Sequence, residues 1–113
     1  MSLDALAIAE GPTLYYDDGF RAVIEDHMTY LRSHPTTTTI AIDPNEAYRW
    51  VADLFGLLGS RGIPAYMHWI VMRMNHLNAP TEMDENIRTL MVPDVKVLSV
   101  IRNIHNTKAK LKT

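Results

Sequence analysis

Residues 66–94 read YMHWIVMRMNHLNAPTEMDENIRTLMVPD, and the fold turns on how this stretch divides. Between Ala65 and about Asn75, Tyr66, Met67, Trp69, Ile70, Val71, Met72 and Met74 cover nearly the whole circumference of a helical wheel. A surface helix carries one apolar stripe, so a helix apolar on most sides belongs at the centre of a domain. The segment His76–Pro80 breaks the pattern, and Thr81–Glu85 can open a short helical turn. Thr89-Leu90-Met91-Val92 then reads as a brief strand ended by Pro93. The stretch predicts a central helix, an open loop and a closing strand.

Working back toward the N-terminus, Asp43-Pro44-Asn45-Glu46 is the sharpest local signal. Asp can accept from free N–H groups at a helix start, Pro suits the first helical position, and Glu at the third can bond back to the cap. The helix it opens has Ala47, Tyr48, Val51, Leu54, Phe55 and Leu58 on one face, and Gly59-Ser60-Arg61-Gly62 ends it. Trp50 and Leu57 lie off that face, which predicts cover on a second side. Before it, Thr36–Ile42 is β-branched and short, a strand or an extended linker. Leu14–Ser33 is an amphipathic helix through Tyr16, Phe20, Val23, Ile24, His27 and Leu31, stopped by Pro35. Beyond Pro93, the spacing of Val97, Leu98, Ile101, Ile104 and His105 favours a last helix over strand alternation from Val95 to Ile101. The expected class is mainly α with a minor β element (α+β), with four helices and a strand-helix-helix-strand block in residues 40–93.

A chain of 113 residues makes one small domain. Residues 1–12, ending in Glu10-Gly11-Pro12, read as an N-terminal arm that sets Leu3, Leu6 and Ile8 on a segment too short to bury them itself. Residues 13–113 form the globular domain. The acidic start MSLDALAIAE lacks the basic region of a signal peptide, and no apolar run approaches the roughly 20 residues of a membrane span. With no cysteine, disulfides, thiolate chemistry and Cys-ligated zinc are all excluded. Residues 1–56 carry nine acids against three Arg, and residues 57–113 carry four acids against eight bases. Such an electrical dipole suits head-to-tail packing of copies, or different partners at the two ends.

Chemistry is sparsely represented. His68 and His76 stand eight apart across a helix end, without the helical spacing that brings two ligands to one metal. Asp17-Asp18 and Glu25-Asp26 are adjacent acids on a solvated helix face, where nothing drives their pKa values apart for acid and base roles. Gly59-Ser60-Arg61-Gly62 lacks the flanking pattern of a phosphate loop or nucleophile elbow. Lys108, Lys110 and Lys112 suit a helix C-terminus and, without interleaved aromatics, point to no nucleic acid. The expectation is no enzyme, no cofactor and no metal.

Taken together, Ile40–Pro93 resembles a LysM module, in which strand, helix, helix and strand close on an Asn and a Leu-x-Ile-Pro segment. The residues that carry the likeness are Trp69-Ile70, Asn75, Leu77 and Leu90-Met91-Val92-Pro93. The chain differs in having Asp43-Pro44-Asn45-Glu46 in place of Gly-Asp-Thr-Leu, and in lacking the Gly before the closing strand. A similar degenerate module, set in a small chain with flanking helices and an arm, occurs in baseplate wedge proteins of contractile-tailed bacteriophages, where it serves protein contacts. That resemblance implies a virion structural protein of a phage tail or baseplate, made in the host cytoplasm, whose partners are other structural proteins. The expected contact residues are Leu3, Leu6 and Ile8 of the arm with Trp50, Tyr66, Trp69 and Met72 as apolar anchors. The alternative is binding of peptidoglycan-type glycan through Ile42–Glu46 and His76–Thr81, as the LysM resemblance would imply.

Overall fold

A computed structural model of the chain describes residues 18–111, with side chains from 19 to 105, so the arm and its Leu3, Leu6 and Ile8 lie outside the described residues. Among these residues are six α-helices, one 3-10 turn and a two-stranded antiparallel sheet. The α+β class holds, while two of the expected helices are each divided.

The first division is at His27, between α1 (Asp18–Asp26) and α2 (Met28–Ser33). The His27 Nδ1–H donates to the Val23 carbonyl at 2.7 Å, a side-chain bond that competes with the helical ladder and bends it. Both pieces still bury one stripe, Phe20, Ile24, Met28 and Leu31. His34, driven extended by Pro35, ends α2 and leads to β1 (Thr38–Ala41).

The second division is between α3 (Pro44–Arg49) and α4 (Leu54–Ser60). Asp43 caps α3 by accepting from the Asn45 N–H at 2.8 Å, as its sequence predicts. Asp53 then acts as a second cap, accepting from the Gly56 N–H at 3.0 Å. Between the two helices Ala52 turns to φ 64° and donates its N–H to the Met83 carbonyl at 2.7 Å. The turn shifts the helical phase, so Leu54, Leu57 and Leu58 are buried while Tyr48 and Val51 of the expected face point outward. Gly56 has no room for a side chain, since a Cβ would run into Asp53 Oδ2 and lie 2.7 Å from the Trp50 ring. Helix α4 ends in a Schellman motif: the Gly62 N–H donates to Gly59 and the Ile63 N–H to Leu58, with Gly62 at φ +78°.

Helix α5 (Ala65–Met74) is the central element. Met67, Ile70 and Met74 join a core with the α1–α2 stripe, Leu98 and Ile101. Val71 and Met72 join a second core with Ala47, Leu54, Leu57, Leu58, Met83 and Leu90. One helix thus walls both cores, which is why it is apolar on most sides. From α2, the Arg32 guanidinium donates to the Arg73 and Met74 carbonyls at 2.8 Å each, closing the C-terminal end of α5.

A 3-10 turn at Pro80–Glu82 follows, then β2 (Thr89–Val92), which pairs with β1 in the register Thr38↔Val92 and Ile40↔Leu90. The Ile42 N–H donates to the Arg88 carbonyl, so the even-numbered residues of each strand bond across the ladder and odd-numbered backbone groups face outward. Side chains close both edges. On β2, Asn75 Nδ2 donates to the Met91 carbonyl at 3.0 Å while the Met91 N–H donates to Asn75 Oδ1 at 2.8 Å. On β1, Arg61 donates to the Ala41 carbonyl and binds Glu46 at 2.7 Å. An uncovered two-stranded edge would template further pairing, and these amide and guanidinium groups blunt it. The last segment, α6 (Val95–Leu111), is helical, and Asp94 caps it by accepting from the Lys96 N–H at 2.9 Å.

Candidate functional site

Leu98 and Ile101 of α6 meet the core, but Val100 and Ile104 do not: they are 58 % and 45 % exposed. With Tyr30 of α2, itself 51 % exposed, they line a groove of about 510 Å³ between the two helices. His27 and His34 stand on the α2 side, and Lys96 at the start of α6. The groove follows from local sequence. Val100 is two positions from Leu98, hence off the buried stripe, and α6 has more apolar positions than one stripe can bury.

The α2 wall is ordered by its own side chains. Tyr30 meets His27 and His34 edge-on, with ring centroids 6.4 and 5.3 Å away. The His34 Nδ1 accepts from the Thr36 N–H at 3.1 Å, which leaves the ring proton on Nε2. A tyrosine held this way is a rigid apolar surface with a polar tip, the combination common at interfaces. At the Lys96 end, the Lys96 N–H holds the Asp94 carboxyl below the usual carboxylate range, with the Thr36 hydroxyl and the Lys96 charge adding to the effect.

A second hollow of about 500 Å³ lies between α3 and the loop before β2, lined by Tyr48, Val51, Asp84, Glu85 and Asn86. Tyr48 is 72 % exposed there, an aromatic face beside carboxylates and an amide. None of these residues falls in the loops expected to hold a glycan. In those loops Ile42 is buried, Glu46 is bound to Arg61, and the Asn78 N–H donates to Glu82. The Arg61 hydrogen bond, with the charge behind it, holds the Glu46 carboxyl below its ordinary value.

The expected anchors are not brought together on one open face. Met72 is 4 % exposed and belongs to the core, so in the single chain it offers nothing to a partner. Trp50 is half-buried over the second core and Tyr66 is half-buried beside the first. Trp69 spans the seam between the cores, with the Arg21 guanidinium 5.1 Å from its ring. The residues that do form an apolar opening, Tyr30, Val100 and Ile104, were not among the expected contact residues; Ile104 was expected only on the apolar face of the last helix.

The histidines are placed by structure. His68 is 9 % exposed, its Nε2–H donates to the Ile63 carbonyl at 2.8 Å, and its ring lies 5.4 Å from Phe55. His76 occupies the left-handed position that closes α5, with φ 64°. Among the described residues no three His or carboxylate groups are placed to hold a metal ion, and no helix is long and apolar enough to cross a membrane. Comparison with protein families, with curated proteins and with solved structures finds no match for this chain.

Proposed function

We propose that this chain is a structural protein that acts through protein–protein contacts, as a component of a contractile phage tail or its baseplate. The observation that carries the contact reading is the groove between α2 and α6, where Tyr30, Val100 and Ile104 form a contiguous apolar opening. Scattered exposed apolar side chains are ordinary, whereas a joined patch marks an interaction site. The tail assignment is supported by the resemblance of Ile40–Pro93 to the LysM-like module of small baseplate wedge proteins, together with β1, the helices, Asn75 and β2 in that order. Its residence would be the virion, and its partners other structural proteins there.

The test is quantitative mass spectrometry of tails purified from the phage that encodes the chain, with natural protein or a Val100→Asp variant supplied. Fixed stoichiometry in the tail for the natural chain, and loss of the variant, is the expected result. Absence of the natural chain from purified tails overturns the tail assignment, and full retention of the variant overturns the groove as the contact surface.

Tyr48 beside Asp84, Glu85 and Asn86 favours a second reading, peptidoglycan-type glycan binding, because an aromatic face with flanking acceptors is suited to a sugar ring. Saturable, salt-resistant co-sedimentation with peptidoglycan sacculi, abolished by Tyr48→Ala, is what that reading requires. No sedimentation at either low or moderate salt ends it.

A further inference from the structure

We propose that the α2–α6 groove receives residues 1–12 of a second copy of this chain, so that copies join head to tail. The inference rests on the contact reading above and names the partner. Its first support is charge. Residues 1–12 hold Asp4 and Glu10 and neither Lys nor Arg, whereas the groove is lined by Lys96 and no acid, on a helix whose residues 95–111 also include Arg102, Lys108 and Lys110 and no acid. An acidic arm and a basic helix of one sequence are complementary between copies, and that complementarity sets orientation as well as attraction.

The second support is apolar content. Leu3, Leu6 and Ile8 are the arm's large apolar residues, and Val100, Ile104 and Tyr30 are the groove's exposed ones, so the two segments match in apolar content. Size agrees. From Lys96 to Ile104 the groove wall rises about 12 Å at 1.5 Å per helical residue, and an extended strand of four residues or a helix of eight spans it.

Because donor and acceptor surfaces differ, the contact is heterologous, and repeated copies build a ring or an open chain instead of a two-fold dimer. This allows a complementation test with the full-length chain. Sedimentation velocity across a concentration series measures self-association of the natural protein, of Val100→Asp, and of the double variant Leu6→Asp/Ile8→Asp. Circular dichroism melts check that each is folded. The natural chain associates; each variant alone loses at least tenfold in affinity, and their mixture recovers a single 1:1 complex that grows no further, because each species keeps one working surface.

A monomeric natural chain at the highest soluble concentration overturns the proposal. So does association that survives the arm substitutions, which would mean groove-to-groove pairing, or a mixture that fails to recover. A second measurement does not depend on these variants. The natural chain has no cysteine, so Leu6→Cys and Val100→Cys chains mixed under mild oxidation should give the mixed disulfide above its statistical share. A chain carrying both cysteines that closes only on itself assigns the groove to its own arm and overturns the intermolecular contact. Self-association can fail while Val100→Asp is still lost from tails; the groove then serves a foreign partner, and only the present inference falls.

Discussion

Replacing Asn75 with Ala should destabilise the domain by about 2–4 kcal/mol, and the structure supplies the steps of that sum. The side chain makes three bonds: it donates to the carbonyls of Val71 and Met91 at 2.7 and 3.0 Å and accepts from the Met91 N–H at 2.8 Å. The Val71 carbonyl keeps the Asn75 backbone N–H at 3.2 Å, so the first loss is minor. Met91 fares worse. Both its backbone groups face away from β1, in a half-buried setting, and both lose their partner at once. Each group deprived of its partner costs about 1–2 kcal/mol when water reaches it poorly. The assay is urea unfolding followed by the fluorescence of Trp50 and Trp69, comparing midpoints at unchanged slope. Asn75→Asp sharpens the test. It keeps an acceptor for the Met91 N–H but directs a carboxylate at two carbonyls, which raises its folded pKa above the unfolded value. Below the unfolded pKa the protonated side chain can donate again, so the deficit is small there and grows as pH rises through the folded pKa. An Asn75→Ala variant within about 0.5 kcal/mol of the natural chain, or an Asn75→Asp deficit that does not change with pH, would refute the edge-closing role.

Two glycines should respond differently to alanine. Gly62→Ala meets open space and only left-handed strain, about 1 kcal/mol, while Gly56→Ala drives a methyl into Asp53 and Trp50, disturbing the α4 cap and costing about 2–3 kcal/mol in the same unfolding assay. The Glu46–Arg61 pair lies at the surface, its side chains 21 % and 35 % exposed, so a double-mutant cycle should give at most about 1 kcal/mol, less in high salt. Since Arg61 lowers the Glu46 pKa in the folded chain, that contribution is present above the ordinary carboxylate pKa and disappears as pH falls through the folded value. A Glu46→Gln variant should therefore match the natural chain in acid and fall behind it near neutrality.

The central helix, both strands and the cap at Asp43 were legible because each rests on local chemistry: apolar residues around a whole helical circumference, a β-branched run, an acid before a proline. The breaks at His27 and Ala52 were not, for the opposite reason. The turn at Ala52 is held by the Met83 carbonyl, far along the chain, and by Asp53, which reads as one more surface acid until Gly56 is seen beneath it. That unread turn is why Tyr48 and Val51, expected inside, stand outside. The groove was missed by a similar route. Periodicity groups Ile104 with Leu98 and Ile101, yet Ile104 is 45 % exposed where the other two are buried, and Val100 lies off that stripe altogether.

Met72 and Val100 divide core from contact surface, and their variants should part cleanly. Met72 is 4 % exposed beneath Leu54, Leu57 and Leu58, so Met72→Ala removes buried methylenes and leaves a cavity, a loss of about 2–5 kcal/mol in unfolding free energy. Val100 is 58 % exposed on α6, where aspartate meets water and no buried neighbour, and the change should stay within about 0.5 kcal/mol. Assembly should respond in the reverse order. The Met72→Ala chains that remain folded keep an intact groove and join their partners with natural affinity, whereas Val100→Asp chains are fully folded and fail to join. If instead Val100→Asp unfolds the domain, the groove is core awaiting its own cover, and the apolar opening ceases to be a docking surface. If Met72→Ala folds normally and fails to assemble, then α5 is the contact helix and its burial between the two cores has been misjudged.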